Sequence, residues 1–464
     1  MSSDPLEWRN RSPGNLDDEF PPASTVAVEP AVARSLEAFR GWSEQAFESR
    51  RDALTAAREA IRNDQENLAR LIARETGKPS REARLEIGAV IAKFDLTFAD
   101  GERYLHEEKV SDGPYPAAVR QFPRGPAAVI APFNFPIHLG HGATVAYLLA
   151  GNTVLFKPSP FAVHTGASYA ALMQSALPPG VFEFVPGWSE TGRLLSIHPA
   201  VRSVCFTGSI PAGTALAREL AADYSKSLAL ELGGKNSVIV WADADLDAAA
   251  AAVADGMCLT AGQRCNATSR VLVHRDVESD FLERLLGAVD AFLPGNPLDE
   301  ATRLGPVISA AAVDRYREVT AVDAGEWLRS GNVLESVAGR RGHFVQPAIL
   351  KAGDPAHLDA SLLGRRETFL PVLVVETITG PDDAAERHAA WPFGLTASVF
   401  TSDRKLFDRL GRRLAVGNLY WNLPTTFSPS TLPFGGWGAS GNGRPGGRGF
   451  IRFATDEQSV QWKA

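Results

Sequence analysis

In the N-terminal part of the chain, apolar side chains recur at the three- and four-residue spacing of helices. The positions that carry this spacing are Leu54, Ala57, Ile61, Leu68, Leu71 and Ile72. They predict two amphipathic helices within residues 28–74. The run from Gly77 to Pro79 ends the second helix, and a third helix is predicted from Ser80 to about Tyr104.

After residue 126 the pattern changes to short apolar runs separated by longer amphipathic segments. The apolar runs cover residues 127–131, 152–157, 181–185, 203–206, 237–240, 270–273 and 371–375. Between the first of these runs, helical spacing covers residues 138–149, 161–176, 192–198 and 212–224. Strands that alternate with helices of this length predict a parallel, doubly wound α/β sheet. Because the alternation starts again at residue 237, we expect two such units.

The two ends of the chain and one internal segment have other patterns. Residues 1–25 are rich in Ser, Pro, Asp and Asn, which predicts a loose arm on the surface. Residues 111–115 have turn chemistry, and residues 118–122 form a short extended run. The C-terminal segment is glycine-rich from Phe434 and ends in an extended piece at residues 460–462. We predict that this piece pairs with an edge strand, and that strand could belong to a partner subunit.

Length, charge and cysteine content narrow the class of protein. The chain has 464 residues, enough for roughly two or three domains. Its 47 basic and 54 acidic residues give a net charge of −7, which argues against nucleic acid or an anionic membrane as the main partner. It has no apolar run of about eighteen residues, and no secretory signal at its N-terminus. Three cysteines, with no histidine near Cys258 or Cys265, predict a cytoplasmic protein without a disulfide framework or a metal site.

Cys265, at the end of a Gly-Gln-Arg-Cys run, is the strongest candidate for a catalytic group. A free thiol has a pKa of about 8.5, so attack on an aldehyde needs a nearby base or dipole and donors for the developing oxyanion. Asn134, just after the predicted strand at residues 127–131, can supply one donor, and the Cys265 backbone N–H a second. Glu231 follows the apolar residues 228–230, so partial burial is expected to raise its pKa and make it a general base for water.

A phosphate-binding turn is indicated by residues 206–209 (Phe-Thr-Gly-Ser), which lie between a predicted strand and a predicted helix. Backbone N–H groups at that helix N-terminus can meet a pyrophosphate. Lys157, at the end of a strand, is a candidate partner for a ribose hydroxyl. Each residue alone is more often structural, Asn134 as a turn residue and Glu231 as a surface carboxylate. Together they predict oxidation of an aldehyde through a thioester, with the hydride leaving for a nicotinamide.

The same residues lie in motifs that resemble those of the aldehyde dehydrogenase superfamily. Residues 231–235 (Glu-Leu-Gly-Gly-Lys) and 262–265 (Gly-Gln-Arg-Cys) are similar to its two signature motifs. Five further segments of the chain resemble the other motifs of this superfamily and occur in the expected order. They are residues 133–136, 156–159, 206–209, 367–369 and 433–436. The resemblance extends from about residue 31 to about residue 452.

This resemblance implies two Rossmann-like, doubly wound α/β domains and a small β oligomerisation arm. The implied segments are a cofactor-binding domain at residues 1–107 and 126–232, a catalytic domain at 233–439, and the arm at 108–125 and 440–464. The resemblance also implies NAD(P)-dependent oxidation of an aldehyde by a homodimer or homotetramer. Cys265 would be the nucleophile, Glu231 the base and Asn134 the oxyanion donor.

The resemblance further implies a set of cofactor contacts. By position these are Ile130, Pro132, Phe133, Lys157, Ser159, Gly192, Gly208, Ser209, Leu232, Glu367 and Phe369. Two positions depart from the family's pattern. Pro160 stands where many members have a glutamate that bonds both ribose hydroxyls and repels a 2′-phosphate. Proline can do neither, so NADP is not excluded beside NAD, the cofactor that the resemblance implies first. Leu370 stands where glycine is usual, which can shift the loop that holds the nicotinamide ribose.

Three stretches resemble the branch of the superfamily that oxidises succinylglutamate semialdehyde in bacterial arginine breakdown. They are residues 73–79, 148–153 and 433–445. The last contains Ser440, in a Gly-Ala-Ser turn, and Arg444. The backbone N–H groups of the turn and the charge of Arg444 can together bind a substrate carboxylate. A tight turn with a solvated arginine is an equally good interpretation. Residues 425–428 differ from the arginine-pathway enzymes, so we expect a carboxylate-bearing semialdehyde, with succinylglutamate semialdehyde as the best single candidate.

Two alternative functions remain open. The thioester could pass to coenzyme A rather than to water, although a base for water at Glu231 argues against this. The chain could also be an inactive member with a structural or cofactor-binding role, since a fold alone does not prove activity. Such a protein would be expected to lose the thiol, the amide or the carboxylate, and this chain has all three.

Overall fold

The N-terminal segment is docked on the rest of the chain rather than loose. The structure, a computed structural model, describes residues 5–110 and 115–463. Its first elements are four short strands in two antiparallel pairs: β1 (Glu7–Trp8), β2 (Arg11–Ser12), β3 (Asn15–Glu19) and β4 (Ala23–Ser24). Phe20 is buried against His164, and the Arg74 guanidinium lies 4.2 Å from its ring centre. The prediction of a loose arm was therefore wrong.

Four helices follow. They are α1 (Val28–Ser43), α2 (Phe47–Asn63), α3 (Gln65–Thr76) and α4 (Ser80–Tyr104). The prediction of two helices within residues 28–74 was wrong, because three helices begin there: residues 44–46 separate α1 from α2, and Asp64 separates α2 from α3. Ile61 and Leu68 are both fully buried and lie seven positions apart, so the apolar period continues across the break and conceals it. The helix from Ser80 to about Tyr104 is confirmed.

The first α/β unit follows two strands of the arm, β5 (Glu108–Val110) and β6 (Ala117–Pro123). The unit consists of β7 (Ala127–Ile130), α5 (His138–Leu149), β8 (Val154–Lys157), α6 (Val163–Gln174), β9 (Phe182–Phe184), α7 (Ser189–Ile197), β10 (Ser203–Gly208), α8 (Ile210–Leu220) and β11 (Ser227–Leu232). Its parallel strands have the order β11-β10-β7-β8-β9. The order reverses between β7 and β10, and ligands bind at the carboxyl ends of strands beside such a reversal.

The second unit consists of β12 (Asn236–Val240), α9 (Leu246–Cys258), β13 (Thr268–His274), α10 (Glu278–Val289), α11 (Ala310–Thr320), β14 (Gly325–Arg329), β15 (Val333–Val337), β16 (Arg340–Val345), β17 (Ala348–Ala352), α12 (Pro355–Ala360), α13 (Leu362–Arg365), β18 (Val372–Ile378), α14 (Pro381–Ala389), β19 (Phe393–Gly394), β20 (Thr396–Phe400), α15 (Arg404–Gly411) and β21 (Asn418–Trp421). Its main sheet has the order β14-β17-β18-β13-β12-β20-β21, with β14 antiparallel to its neighbour. Each unit has its own apolar core.

The C-terminal strands return to the first unit and to the arm. They are β22 (Pro433–Phe434), β23 (Trp437–Gly438), β24 (Gly441–Asn442), β25 (Gly446–Gly447) and β26 (Thr455–Gln461). β24 adds antiparallel to β11 at the edge of the first sheet. β26 pairs with β6 along its whole length, and β5 pairs with the other side of β6. The extended C-terminal piece thus joins an edge strand, as predicted, and that strand belongs to its own chain.

The prediction of an α/β fold with two Rossmann-like, doubly wound units and a small β arm is confirmed. The exact domain boundaries stay predictions. The turn predicted at residues 111–115 falls mainly on residues 111–114, which lie outside the described residues. Within the described part of the chain, no helix is both long enough and apolar enough to cross a membrane.

Candidate active site

The two units meet where the chain passes from β11 to β12. β11 ends at Leu232 and β12 begins at Asn236, so only a Gly-Gly-Lys run separates them. Glu231 is the penultimate residue of β11 and therefore lies at the carboxyl edge of the first sheet. Side chains at this edge can meet side chains from the second unit.

The two glycines after Glu231 allow a second carboxyl group to approach. A Cβ on Gly233 would collide with the carboxyl of Glu367, and Gly234 donates its backbone N–H to Glu367 Oε1 at 3.0 Å. Burial raises the pKa of Glu367 to about 7. The Glu367 carboxyl is an electrostatic neighbour of both Glu231 and Cys265, so the structure brings this predicted cofactor contact close to the two candidate catalytic residues.

Glu231 has the environment of a general base. Its side chain is buried, with 2% of the residue exposed, and its Oε1 has no hydrogen-bond partner in the described part of the chain. Burial raises the pKa of Glu231 to about 8, the Cys265 thiol opposes this rise, and Glu367 adds to it. A carboxyl with an unpaired oxygen and a pKa near neutrality is suited to take a proton from water or from a thiol.

Cys265 lies in the loop between α9 and β13, and the start of this loop is strained. Thr260, Ala261 and Gly262 have φ angles of 53°, 54° and 70°, all in the left-handed region. A Cβ on Gly262 would collide with the backbone of Leu370, so only glycine fits there. Leu370, the departure from the usual glycine, is buried in the core of the second unit. The loop therefore depends on its neighbours to hold this conformation.

Asn236, the first residue of β12, fixes the backbone around the nucleophile. Its side-chain amide donates to the carbonyl oxygens of Cys265 at 2.9 Å and Ala267 at 2.8 Å. Its Oδ1 accepts the backbone N–H of Thr396 at 3.1 Å. Sequence reasoning missed Asn236. The available signal was an amide at the start of a buried strand, directly after the Gly-Gly-Lys run.

The Cys265 thiol is protonated in its resting environment. Burial raises its pKa well above the ordinary value, and the carboxyls of Glu231 and Glu367 add to this, while the backbone N–H of Asn266 acts in the opposite direction. A reactive thiolate therefore needs a base close by. The Glu231 carboxyl lies beside it and is the candidate for this base.

Asn134 follows Pro132 and Phe133 at the carboxyl edge of the first sheet, after β7. It is 4% exposed, and its side chain makes no hydrogen bond within residues 5–110 and 115–463. A buried amide without an internal partner has two N–H donors to offer a ligand. This state is compatible with the predicted role of oxyanion donor.

The predicted phosphate turn forms at the start of α8. β10 ends at Gly208, and the Ser209 hydroxyl caps α8 by accepting a backbone N–H from its first turn. Leu232 packs against this turn, because a Cβ on Gly213 would collide with its side chain. The first N–H groups of a helix have no partner inside the helix, so this end can bind an anion.

Lys157, Ser159, Ile130 and Gly192 lie together at the ends of β7 and β8. Lys157 is the last residue of β8, is buried, and donates from Nζ to the Pro158 carbonyl at 3.0 Å. A Cβ on Gly192 would sit 3.4 Å from Lys157 and 3.6 Å from Ile130, so α7 packs closely on both. Ser159 caps the short helical turn that follows β8.

A row of aromatic side chains lines the same edge. Phe133, Phe161 and Trp188 follow β7, β8 and β9, which are neighbours in the sheet. The ring centres of Phe133 and Phe161 are 6.2 Å apart, and those of Phe161 and Trp188 are 5.9 Å apart. Phe369 approaches Phe133 at 5.9 Å from the second unit. Sequence reasoning missed Phe161 and Trp188, whose signal is an aromatic residue soon after each strand.

A cavity of about 270 Å³ is lined by neighbours of Cys265 and of Asn266, and its lining includes Tyr420, Ser428 and Arg444. Burial raises the pKa of Tyr420, and the nearby Cys265 adds to the rise. Ser428 accepts a hydrogen bond at 3.3 Å from the side chain of Asn266, the residue after Cys265. The cavity is therefore in reach of a substrate bound at the thiol.

The two predicted substrate contacts are placed differently. Arg444 lines the cavity, and its Nη2 donates to the carbonyls of Gly417 and Pro433, both at 2.8 Å. Its Nε is buried and has no partner among the described residues. Ser440 is fully buried, accepts the Gly394 N–H at 3.1 Å, and does not line the cavity. Arg444 is thus part of the cavity wall and Ser440 is not, and a substrate contact by either residue stays a prediction.

This fold and this set of side chains define a class of enzyme. Residues 2–460 match the aldehyde dehydrogenase family, and the chain belongs to that family. It is an aldehyde-oxidising oxidoreductase.

Two named relatives are similar to this chain over most of its length. The N-succinylglutamate 5-semialdehyde dehydrogenase 1 of Caulobacter vibrioides is 35% identical over 451 residues, which are 96% of this chain and 93% of the relative. The N-succinylglutamate 5-semialdehyde dehydrogenase of Escherichia coli K12 is 36% identical over 433 residues, which are 91% of this chain and 85% of the relative.

Solved structures agree with the fold. An NAD-dependent aldehyde dehydrogenase from Sinorhizobium meliloti is 30% identical to this chain, with a TM-score of 0.90. The match covers 100% of this chain and 93% of the Sinorhizobium chain. A 1-pyrroline-5-carboxylate dehydrogenase from Thermus, solved with bound NAD, is 27% identical to this chain, with a TM-score of 0.91. The match covers 100% of this chain and 90% of the Thermus chain.

Proposed function

We propose that this chain oxidises a carboxylate-bearing semialdehyde to the acid with NAD(P), through a thioester on Cys265. The observation that carries the proposal is the buried carboxyl of Glu231, with one oxygen unpaired, beside the Cys265 thiol. N-succinylglutamate 5-semialdehyde is the best single candidate for the substrate, because the relatives from Caulobacter vibrioides and Escherichia coli are named for that aldehyde.

The first step adds Cys265 to the aldehyde. The thiol gives its proton to Glu231, and Sγ forms a bond to the carbonyl carbon. The carbonyl oxygen takes the electron pair of its π bond, and we assign the Asn134 amide and the Cys265 backbone N–H as donors to it. A bound nicotinamide supplies the hydride acceptor, and loss of hydride from the carbon leaves the thioester.

The second step releases the acid. Water must lose a proton as it attacks the thioester carbon, and Glu231 can take that proton on its unpaired Oε1 once the first proton has left. The Cys265 sulfur departs with the electron pair of the C–S bond, and the acid is free to leave. A base placed for water favours hydrolysis over transfer to coenzyme A.

We assign the dinucleotide to the carboxyl edge of the first sheet, where ligands of doubly wound α/β domains bind. The helix end after Gly208 and Ser209 suits a pyrophosphate, and Lys157 lies at a neighbouring strand end. Pro160 brings no carboxylate here, and its carbonyl accepts a hydrogen bond from Trp8 Nε1 at 3.1 Å. We therefore assign NAD(P), with NAD as the first candidate because the Thermus relative was solved with it.

A carboxylate on the substrate would meet a positive charge in the cavity beside Cys265. The guanidinium of Arg444, which lines this cavity, can donate a charge-assisted hydrogen bond, which is about twice as strong as a neutral one. The volume of about 270 Å³ is close to the lower end of the usual range for small-molecule sites. This size suits a small aldehyde that carries a carboxylate away from the reacting carbon.

We also propose that the chain works as a homodimer or homotetramer in the cytoplasm. The arm exposes large apolar side chains, with Phe122 58% and Trp462 43% exposed. Its two outer strands, β5 and β26, each leave one edge without a partner among the described strands. Such edges and apolar side chains are typical of a surface that a second subunit covers. Sedimentation analysis would show whether the mass is a multiple of one chain.

A panel of aldehydes tests the catalytic proposal. Aldehydes of matched length with and without a distal carboxylate, N-succinylglutamate 5-semialdehyde among them, would be supplied with NAD and NADP separately. We expect reduced cofactor to form fastest with the carboxylate-bearing aldehydes, and the free acid as product with or without coenzyme A. An acyl-coenzyme A product would mean a different acceptor, and no reduced cofactor with any aldehyde would contradict the proposal.

A further inference from the structure

Helix α4 contacts both the loop of the nucleophile and the segment of the predicted oxyanion donor. Glu82 and Glu86 lie four positions apart on α4, so they project from one face on successive turns. Both are buried, at 3% and 2% exposure. We propose that α4 fixes the spacing between Cys265 and Asn134 through these two carboxylates, and that Glu82 is a positioning residue for attack on the aldehyde.

Glu82 holds the loop that leads to Cys265. Its Oε1 accepts the Thr260 backbone N–H at 3.2 Å. Its Oε2 accepts the Thr260 hydroxyl at 2.7 Å and Arg264 Nη2 at 2.6 Å. Thr260 is the first left-handed residue of the loop, and Arg264 directly precedes Cys265. One carboxylate therefore holds the loop at both its ends.

Glu86 holds the chain after Asn134. Its Oε1 accepts the backbone N–H groups of Ile137 and His138, both at 3.1 Å. Its Oε2 forms an ion pair with Lys78, and both side chains are fully buried. Because His138 begins α5, this carboxylate caps that helix and orients the turn that contains Asn134.

The two halves of the network join at Phe135, which directly follows the predicted oxyanion donor. The Lys78 ammonium lies 3.6 Å from the centre of its ring, and the Arg264 guanidinium carbon lies 5.0 Å from it. Lys78 is the ion-pair partner of Glu86, and Arg264 is that of Glu82. The contacts thus run without a gap from one reacting segment to the other.

Position 82 needs a carboxylate for a chemical reason. Three donors converge on the two oxygens of Glu82, and a side-chain amide has only one acceptor oxygen. A glutamine would turn its NH₂ group towards the donors of Thr260 or Arg264, leaving buried donors face to face. The left-handed conformation of the loop therefore depends on the charge supplied by α4.

Two variants and one control separate this role from general stability. Glu82→Gln removes the charge and one acceptor. Thr260→Val keeps the side-chain shape and removes the hydroxyl that bonds both Glu82 and Arg264. Asp100→Asn is the control, because Asp100 is also a buried carboxylate of α4 but accepts the Gly449 N–H, roughly 27 Å along the helix from Glu82.

Two measurements are made on each protein. The first is the rate of reduced-cofactor formation in a single turnover, which rests on the proposed function. The second is the pH dependence of Cys265 alkylation by iodoacetamide, which needs neither aldehyde nor cofactor. We expect Glu82→Gln and Thr260→Val to lower the single-turnover rate about tenfold or more, since small misplacements of reacting groups cost up to about a hundredfold. The pH midpoint of alkylation should shift, because the thiol moves relative to Glu231.

The cofactor dissociation constant should stay within about twofold of wild type in both variants, because the residues assigned to cofactor binding are untouched. Wild-type rates and midpoints in both Glu82→Gln and Thr260→Val would overturn the proposal. An equal loss in Asp100→Asn would also overturn it. If Glu82→Gln does not fold, Thr260→Val decides by the same criteria. If the wild-type protein oxidises no aldehyde, the proposed function fails, and the alkylation midpoints alone decide on Glu82.

Discussion

The side-chain amide of Asn236 holds the Cys265 carbonyl at 2.9 Å, and the same amide also holds the Ala267 carbonyl. Asn236→Ala would leave both carbonyls and the Thr396 N–H without their partner. A buried polar group left unpaired costs about 1–3 kcal/mol, so we expect the free energy of unfolding to fall by about 3 kcal/mol and kcat to fall at least about tenfold. Urea denaturation and steady-state kinetics check both numbers.

The matched control is Asn236→Asp. It keeps the oxygen that accepts from Thr396 and replaces the donor with a second oxygen, which would face the carbonyls of Cys265 and Ala267. We expect it to lose as much activity as the alanine variant. Full activity in the aspartate variant would show that the donated hydrogen bonds do not position the nucleophile.

Cys265→Ala tests the nucleophile. We expect reduced-cofactor formation to fall about a thousandfold or more, while the dissociation constant for the cofactor stays unchanged, because the cleft at α8 is intact. Tryptophan fluorescence can follow cofactor binding, since Trp188 lies at that cleft. Cys205→Ala is the control, because Cys205 is buried inside β10 and should be dispensable for the chemistry. Turnover that survives in Cys265→Ala would assign the attack to another group.

Glu231→Gln tests the base for hydrolysis. The amide cannot take a proton from water, so the thioester should accumulate on Cys265 after one turnover. We expect a burst of at most one reduced cofactor per site, followed by a steady rate lowered by about a hundredfold or more. Rapid-mixing absorbance and intact-protein mass spectrometry would detect the burst and the acylated chain. Steady turnover at the wild-type rate would give the role of base to another residue.

The pH dependence follows from the raised pKa of Glu231, about 8. Below this value the carboxyl is protonated and cannot act as a base, so the rate of hydrolysis should rise about tenfold per pH unit and level off above pH 8.

The same shift affects stability. Because the folded pKa lies above the ordinary value of 4.5, the stabilising contribution of the neutral carboxyl is complete below 4.5 and is lost as the pH rises to 8. The free energy of unfolding of Glu231→Gln should therefore increase relative to that of wild type as the pH rises through this interval. Urea titrations at several pH values measure this difference. A difference that does not change with pH would contradict the prediction.

Arg444→Lys tests recognition of the substrate carboxylate. Lysine keeps the charge and loses the planar set of donors, so KM for carboxylate-bearing aldehydes should rise about tenfold to a hundredfold. For aldehydes without the carboxylate, KM should change by less than about threefold in the same variant, which controls for damage to the loop. Arg448→Lys is a second control, since Arg448 bonds Asp100 rather than the cavity. Equal changes with both kinds of aldehyde would remove Arg444 from substrate recognition.

The sequence alone was enough for elements whose signal is local. The helices α4 and α5 were predicted at the residues where they occur, because turn residues stand at the start of α4 and the apolar period is unbroken within each. The strands of the first sheet have buried side chains on both faces, so they stand out as continuous apolar runs. Cys265 and Glu231 were singled out as candidates for a similar reason, since each lies in a short run of unusual composition, and their catalytic roles stay predictions.

Contacts between distant segments could not be predicted in this way. Glu82 and Arg264 are 182 positions apart, and no period or motif along the chain pairs them. The docking of Phe20 on His164 is equally remote, so a polar composition suggested a free arm. The break at Asp64 was hidden because the helices on either side keep their apolar faces aligned. In each case tertiary packing decided what local pattern could not.

The pairing of the last strand has a consequence for how the protein is made. Gln121 in β6 leaves the ribosome 334 residues before Thr455 in β26, with which it bonds. Leu230 in β11 leaves 212 residues before its partner Asn442. During translation both edges therefore stay uncovered until synthesis is almost finished, and open edges pair readily with other chains. A nonsense codon between residues 422 and 441 would leave both α/β units encoded in full and still yield a product prone to aggregate.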